Sequence, residues 1–387
     1  MLLLGELLDG FCPLPQAGGF FMEKKLRGGY TTGACAAAGV KAGLLFLQGE
    51  YCREVQLMAL DGTLLRIPVQ AVDRADDGVR VEIIKESGDD PDITNGVSVY
   101  TQLRLLPEGQ GIQLRAGEGI GTVTKPGLSV LPGEPSINPG PRKLIANVVR
   151  ELLGEQGSCA VTISIPAGRE LAKKTLNPVL GIVGGISVIG TTGVLRPMSE
   201  EGFKNSLVPQ IDVAQAAGFS SLVFVPGKIG EDIAVQQGLP KAAIVQTSNF
   251  IGFMLEAAAE RQVRNVLLFG HIGKLVKVAA GIFYTHNRIA DGRLETLAAY
   301  AAAEGMPPEG VREVLAAATT EAALPVIASY GLQRVYDQLA ARASLRIERY
   351  VFQKLQAGTV LATLQGKILG LDAAARRIGG ELHWNIK

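Results

Sequence analysis

"SSLVFVPGK" (220–228), "KAAIVQTSN" (241–249) and "RNVLLFGHIGK" (264–274) each carry a short apolar run that ends in glycine, proline or small polar residues and then turns helical. Strands buried on both faces read as continuous apolar runs, because helices cover each side of the sheet. The stretches therefore predict a parallel sheet, and "GGISVIGTTG" (184–193) reads as its first strand.

Upstream the rhythm differs. "EVQLMAL", "TLLRIPVQAV", "VRVEIIKE", "VSVYTQLRLL" and "GIQLRAG" alternate and are closed by Gly, Asp or Pro, which predicts a mainly antiparallel sheet. Two helices accompany it. One runs from about Gly33 to Gln48, Ala-rich, with Thr31 or Thr32 as N-cap; the other is "INPGPRKLIANVVRELLGE", with Asn138 as cap and Pro139 in the first helical position. "SCAVTISIPAG" returns as a strand, and a boundary between the two rhythms falls near residues 175 to 185. Beyond Asp291 the chain is Ala-rich and helical to about Tyr350, and "GTVLATLQGKILG" supplies a late strand pair.

A chain of 387 residues with 47% hydrophobic content has room for two cores. Lys and Arg total 38 against 37 Asp and Glu, so no general positive field favours nucleic acid, and anionic ligands must be met by local clusters. Cys12, Cys35, Cys52 and Cys159 show neither CxxC spacing nor a disulfide framework, which points to reduced thiols in a cytoplasm. Residues 1–21 are Leu-rich, yet Glu6 and Asp9 interrupt them and no basic segment precedes them. They read as a leader, with Met22 as the native start, and no run is suited to a bilayer.

Several stretches could carry chemistry. "GGYTTGACAAAG" (28–39) places small residues at a helix N-terminus, where N–H groups and the Thr31 and Thr32 hydroxyls suit an anion; close packing explains the same residues. In "GGISVIGTTG" the residues Gly184, Gly185, Gly190, Thr191, Thr192 and Gly193 would let a nucleotide approach the main chain at a strand end, although the spacing is not GxGxxG. "GDDPDITNG" gathers Asp89, Asp90 and Asp92, either a solvated turn or a source of one working carboxylate. His271 and His286 fall in strand-end or loop positions. Lys274, Arg142 and Lys143 sit in first helical turns, the unfavourable end for a cation unless an anion binds there. No nucleophile, triad or zinc spacing emerges.

"KLRGGYTTGACAAAGVKAG", "GDDPDITNG", "KTLNPVLGIVGGISVIGTTGVLRPMSEE" and "FGHIGKLVKVAAGIFYTHNRIADGRLE" resemble, in order, the signature blocks of the cobalt-precorrin-5B C1-methyltransferase family of anaerobic cobalamin biosynthesis. The resemblance covers residues 24 to 295 closely and the C-terminal part more loosely. It implies methyl transfer from S-adenosylmethionine to C1 of a cobalt tetrapyrrole, giving cobalt-precorrin-6A. It also implies an α+β domain of the ribosomal S5 domain 2 type over 22–180 and a Rossmann-like α/β domain with a helical C-terminal part over 181–387.

On that reading the cofactor lies on Gly184, Gly185 and Gly190 to Gly193, with Glu231 or Asp232 from the following helix for the ribose, because Pro226 and Gly227 occupy the usual acidic position. Thr31, Thr32, Arg142, Lys143, Arg196 and Lys274 are candidates for the substrate's carboxylates, and His271, His286 or Asp90 for a base. No protein metal site, nucleic acid or membrane is expected, and a homo-oligomer is compatible with the sequence. A nicotinamide-dependent tetrapyrrole reductase and a corrinoid carrier with a histidine axial ligand are the alternatives, and neither accounts for the signature blocks.

Overall fold

The computed structural model describes residues 26–197 and 200–384. The expectations for the leader 1–21 and for Met22 lie outside the described residues.

The three quoted stretches do form a parallel sheet. Ser221–Val225 lies between Ile244–Gln246 and Asn265–His271 and runs parallel to both; Gln356–Ala362 adds to the far side in parallel, and Ile368–Leu371 closes that edge antiparallel. Side chains along each strand alternate between two cores. Leu222, Phe224, Val266, Leu268 and Leu361 enter one; Val223, Val225, Leu267, Phe269 and Val360 enter the other. Helices supply both covers: residues of Ile251–Glu260, Ile272–Ala279 and Arg334–Tyr350 lie in the first core, those of Lys228–Gln236 and Ala373–Glu381 in the second. Two-sided burial is what made these runs apolar at every position.

The N-terminal sheet has five strands in the order Ala71–Ala75, Gly78–Ile84, Ser98–Leu105, Cys159–Ser164, Ile112–Ala116. Its pairs are antiparallel except the last. Thr32–Leu47 packs on it with Pro139–Leu153 against that helix, and Thr31 caps the former by accepting the Ala34 N–H. Small residues let the first helix approach closely: a Cβ on Gly39 would sit 2.5 Å from Thr101 Oγ1. Asn138 occupies the cap position of the second helix, but its side chain makes no cap bond.

One placement needs correction. Gly184–Gly193 is not the first strand of the parallel sheet. Ile182–Val183 pairs with Thr122–Val123, Ile186 and Val188 bridge to Ile120 and Ile137, and Val194–Leu195 pairs with Gly29–Tyr30. The stretch thus joins the N-terminal core, where Ile186 and Val188 are buried while Ile189 is exposed. Its apolar residues alternate with Ser187, and alternation belongs to a segment with one buried face.

Candidate functional site

Two helix N-termini were candidates for binding a ligand. The first, at Thr32–Leu47, is filled by the protein itself. Thr31 N–H donates to the Gly193 carbonyl and Gly33 N–H to the Ile189 carbonyl, both at 3.0 Å, and Thr32 Oγ1 accepts the Ile189 N–H at 3.0 Å. Gly190, at φ +132°, lies so close that an added Cβ would fall 2.2 Å from Thr31 Oγ1. The Thr31–Gly33 end is therefore occupied by the turn that carries Gly190 and Gly193, and the anion-binding role expected there is corrected: the Thr31 and Gly33 amides already have chain acceptors.

The second N-terminus lies at the parallel sheet. The chain passes from Ser221–Val225 to Ile244–Gln246 on one side, then crosses to Asn265–His271 on the other, so the strand order reverses between the first and third of these. In open sheets ligands bind outside the carboxyl ends of the strands at such a reversal. Here those ends carry Pro226 and Gly227 on one side and His271 to Lys274 on the other. Lys274 Nζ spans them, 3.4 Å from the Pro226 carbonyl and 3.0 Å from Asn249 Oδ1. Burial, and then the charge of Lys277, holds Lys274 below the ordinary lysine pKa. No ion pair of Lys274 with an acid is present among the described residues. A half-buried cation at a helix N-terminus is a strong demand for an anion.

Around it, each loop contributes a polar group. Gly227 has φ +104°, and the space where a Cβ would stand is open; at Gly230, one turn on, an added Cβ would stand only 3.2 Å from Val225 Cβ. Glu231 is 4% exposed, accepts from Gln246 Nε2 at the tip of the neighbouring strand, and lies 3.5 Å from Lys228. The sequence reading counted Ser221–Val225 as the second strand. Because it is the first, the expected place for a ribose-binding acid is the end of Ile244–Gln246, and Glu231 reaches that place from the preceding helix. Ser248 holds φ +53° in the same loop, uncommon for a residue with a side chain.

His271 caps Ile272–Ala279. Its Nδ1 accepts the Gly273 N–H at 3.2 Å and its Nε2 lies 3.0 Å from Glu321 Oε1, which also accepts the Leu364 N–H at 2.8 Å. These partners assign the neutral ring to the Nε2–H form. The lone pair a base would use is committed to the cap. His286 makes the same local turn, with Nδ1 accepting the Arg288 N–H at 3.1 Å, and its ring is exposed. The two histidines share no hydrogen bond, but a short chain of contacts links their loops: Thr285 N–H donates to the Asn249 carbonyl at 2.9 Å, and Asn249 receives Lys274.

Lys277, absent from the sequence candidates, holds the histidine loop. It is fully buried and donates to the Thr285 carbonyl (3.1 Å), Asn287 Oδ1 (2.7 Å) and the Ala290 carbonyl (2.9 Å). Burial lowers its pKa, with Asp291 opposing and Arg293 adding to the shift. Asn249 and Glu321 were also missed. Their roles depend on loops that meet only in the folded chain, whereas a lysine in an apolar helix, as in "KLVKVAAG", was the one available signal for Lys277.

The remaining candidates lie on the N-terminal part. Arg142 Nε donates to the Ile137 carbonyl at 2.7 Å and its Nη2 to Glu134 at 3.0 Å, so its charge is already paired. Lys143 is exposed, as is Arg196, 3.6 Å from Asp61. In the acidic loop Asp89 accepts the Arg27 N–H at 2.7 Å, and the Asp90 N–H donates to the Ser87 carbonyl at 3.3 Å. Asp92 lies 2.7 Å from buried Lys85. Burial pushes the Asp92 carboxyl up, but the bonds from Lys85 and Thr94 outweigh it and hold the pKa below the ordinary value. Gly184, Gly185, Thr191 and Thr192 stay with the N-terminal core, apart from the strand ends. A surface hollow of about 420 Å³, lined among others by Asp212, Phe253 and Arg261, includes none of the strand-end residues.

Among the described residues no helix is long and apolar enough to cross a membrane, and no group of three or more His, Cys, Asp or Glu residues could hold a metal ion. Comparison with known proteins gives a consistent set of relatives. A family model described as CbiD matches residues 21–197, and one described as CbiD, C-terminal domain, matches residues 284–373. A cobalt-precorrin-5B C(1)-methyltransferase of Moorella thermoacetica is 51% identical over 93% of this chain and 99% of its own length. Those of Desulfitobacterium hafniense and Methanocaldococcus jannaschii are 47% and 44% identical, over 92% and 90% of this chain and 92% and 97% of their own. A crystal structure of a cobalamin biosynthesis protein from Archaeoglobus fulgidus is 25% identical and covers 69% of this chain and 84% of its own, with a TM-score of 0.37.

Proposed function

The chain belongs to the CbiD family, and from that membership we propose that it is a methyltransferase that adds a methyl group to C1 of cobalt-precorrin-5B in cobalamin biosynthesis, with S-adenosylmethionine as donor. The observation that carries the reading is 51% identity to a relative so named, across 93% of this chain. We read 22–180 and 181–387 as the two domains, ribosomal S5 domain 2-like and Rossmann-like, with Ile182–Leu195 reaching back onto the first.

The switch-point crevice suits the donor. Open space beside Gly227, the close helix-to-strand packing at Gly230 and a carboxylate at the tip of the second strand are the features a nucleoside site needs. Gly227 and Glu231 would hold the adenosine part, replacing the Gly184–Gly193 turn as our preferred site. S-adenosylmethionine, when bound, supplies an electrophilic methyl on a sulfonium.

The protein's own work is alignment. Lys274, aided by the N-terminus of Ile272–Ala279, would fix a substrate carboxylate, and Lys277 keeps the 284–290 loop in one conformation before substrate arrives. With the donor held by Gly227 and Glu231 and a carboxylate of the ring by Lys274, C1 would be set facing the methyl group. His271 in its capped tautomer holds no available lone pair, so a base role for it requires release of the Gly273 bond. The test is transfer of labelled methyl from S-adenosylmethionine to cobalt-precorrin-5B. Stoichiometric label on the tetrapyrrole is expected; cofactor-dependent reduction with NADPH and no label would overturn the reading in favour of a reductase.

A further inference from the structure

Four aromatic rings from three segments meet in a row. Phe203, on Glu200–Leu207, lies 5.8 Å from Phe250; Phe250 lies 4.9 Å from Tyr284; Tyr284 lies 6.4 Å from His286, all centroid to centroid. Inside a core such rings would be covered throughout. Here Phe250 is 9% exposed, but Phe203 at one end is 51% exposed and His286 at the other is exposed too.

The charges around the row are arranged for an anion-bearing ligand. The adjacent acid Glu200 accepts from the Tyr284 hydroxyl at 2.9 Å and pairs with Lys204 at 3.3 Å. Lys204 Nζ stands 5.8 Å from the Phe250 centroid and 5.5 Å from that of Phe253. Burial, together with the Glu200 bond, raises the Tyr284 pKa, so the phenol stays a donor. Arg288 is exposed two residues beyond His286. The row is also continuous with the switch-point crevice: Asn249, which receives Lys274 at 3.0 Å, immediately precedes Phe250, and its carbonyl accepts the Thr285 N–H at 2.9 Å. Lys277 anchors the loop from below, so the row is in place without a ligand.

We propose that the tetrapyrrole packs against the row Phe203, Phe250, Tyr284 and His286 as its platform, meeting ring edges as well as faces because neighbouring planes stand 44° to 68° apart, with Arg288 and Lys274 receiving carboxylates at its rim. The placement rests on the methyltransferase reading and says where its substrate lies. A single adenine covers one ring; a conjugated macrocycle of four linked heterocycles makes use of a row. Aromatic faces and partly desolvated cations together favour such a ligand.

The test titrates cobyrinic acid, a stable cobalt corrin with free carboxylates, into the full chain and follows its visible absorbance. Phe203→Ser and Tyr284→Leu are compared with the unmodified protein, and S-adenosylhomocysteine is titrated in parallel. Each variant is expected to weaken cobyrinic acid by about tenfold or more while leaving S-adenosylhomocysteine within twofold. Affinity for cobyrinic acid unchanged in Phe203→Ser, or no binding by the unmodified chain, would overturn the platform. If Tyr284→Leu loses both ligands through misfolding, exposed Phe203 alone decides. Binding of cobyrinic acid without S-adenosylhomocysteine would support the platform and count against the donor assignment, so the two failures remain distinct.

Discussion

The N-termini of Thr32–Leu47 and Ile272–Ala279 follow similar sequences, glycine-rich and supplied with a hydroxyl or an imidazole as cap, yet they have opposite fates. At the first, carbonyls of Ile189 and Gly193 lie 3.0 Å from the helix amides and take the place a ligand would need. At the second, a lysine crosses from helix to neighbouring loop and pairs with no acid among the described residues. Small residues permit close approach; they do not say whether the visitor is a ligand or another part of the chain. Charge that the fold leaves unpaired is the better guide.

The largest test of this contrast is a matched pair of glycine substitutions. Gly190→Val should cost at least about 3 kcal/mol in unfolding, since the Cβ meets Thr31 and the backbone lies in the left-handed half of the map. Gly227→Ala, with open space around it, should cost less, about 1–3 kcal/mol of backbone strain with no clash added. Equal midpoint shifts in denaturant would break the comparison.

Next, Lys274→Met should weaken substrate capture by about 10–100-fold in KM without loss of thermal stability. The pH dependence follows from its direction of shift. A lysine with a lowered folded pKa releases its proton sooner than in the unfolded chain, so its charged form opposes folding below that pKa, and stability rises between the folded value and 10.5. Anion affinity should fall on the alkaline side over the same interval, below the ordinary lysine range. A stability optimum or affinity profile unmoved by Lys274→Met would show that this cation is already neutralised.

The smallest effects separate capping from catalysis. Thr31→Ala and His271→Ala should each cost about 1 kcal/mol, and His271→Asn, which can still accept the Gly273 N–H, much less. Turnover that survives in His271→Asn would mark this histidine as a positioning residue; turnover lost with stability intact would restore it as the base.

Much of the fold was readable because burial on two faces leaves a plain mark. Ser221–Val225 and Asn265–His271 are apolar at nearly every position and proved to be adjacent parallel strands. "GGISVIGTTG" misled because its glycines mimic a nucleotide turn, while the alternation of Ile186, Ser187 and Val188 carried the correct message of a single buried face. At the site, His271, Lys274 and Glu231 were visible as residue types at strand ends. Their partners Asn249, Gln246 and Glu321 were not, because those contacts join segments 15 to 50 residues apart. Asp92 shows the converse: an acid cluster that reads as chemistry serves in part to neutralise buried Lys85.

The central claim, that the methyl donor occupies the strand reversal and not the Gly184–Gly193 turn, is tested most directly by calorimetric titration with S-adenosylhomocysteine. The variants are Glu231→Gln at the tip of Ile244–Gln246 and Thr191→Val on the exposed turn. The account predicts affinity reduced by about tenfold or more in the first, a charged hydrogen bond's worth, and unchanged in the second. Weakening by Thr191→Val with Glu231→Gln indistinguishable from the unmodified chain would contradict it and return the donor to the turn.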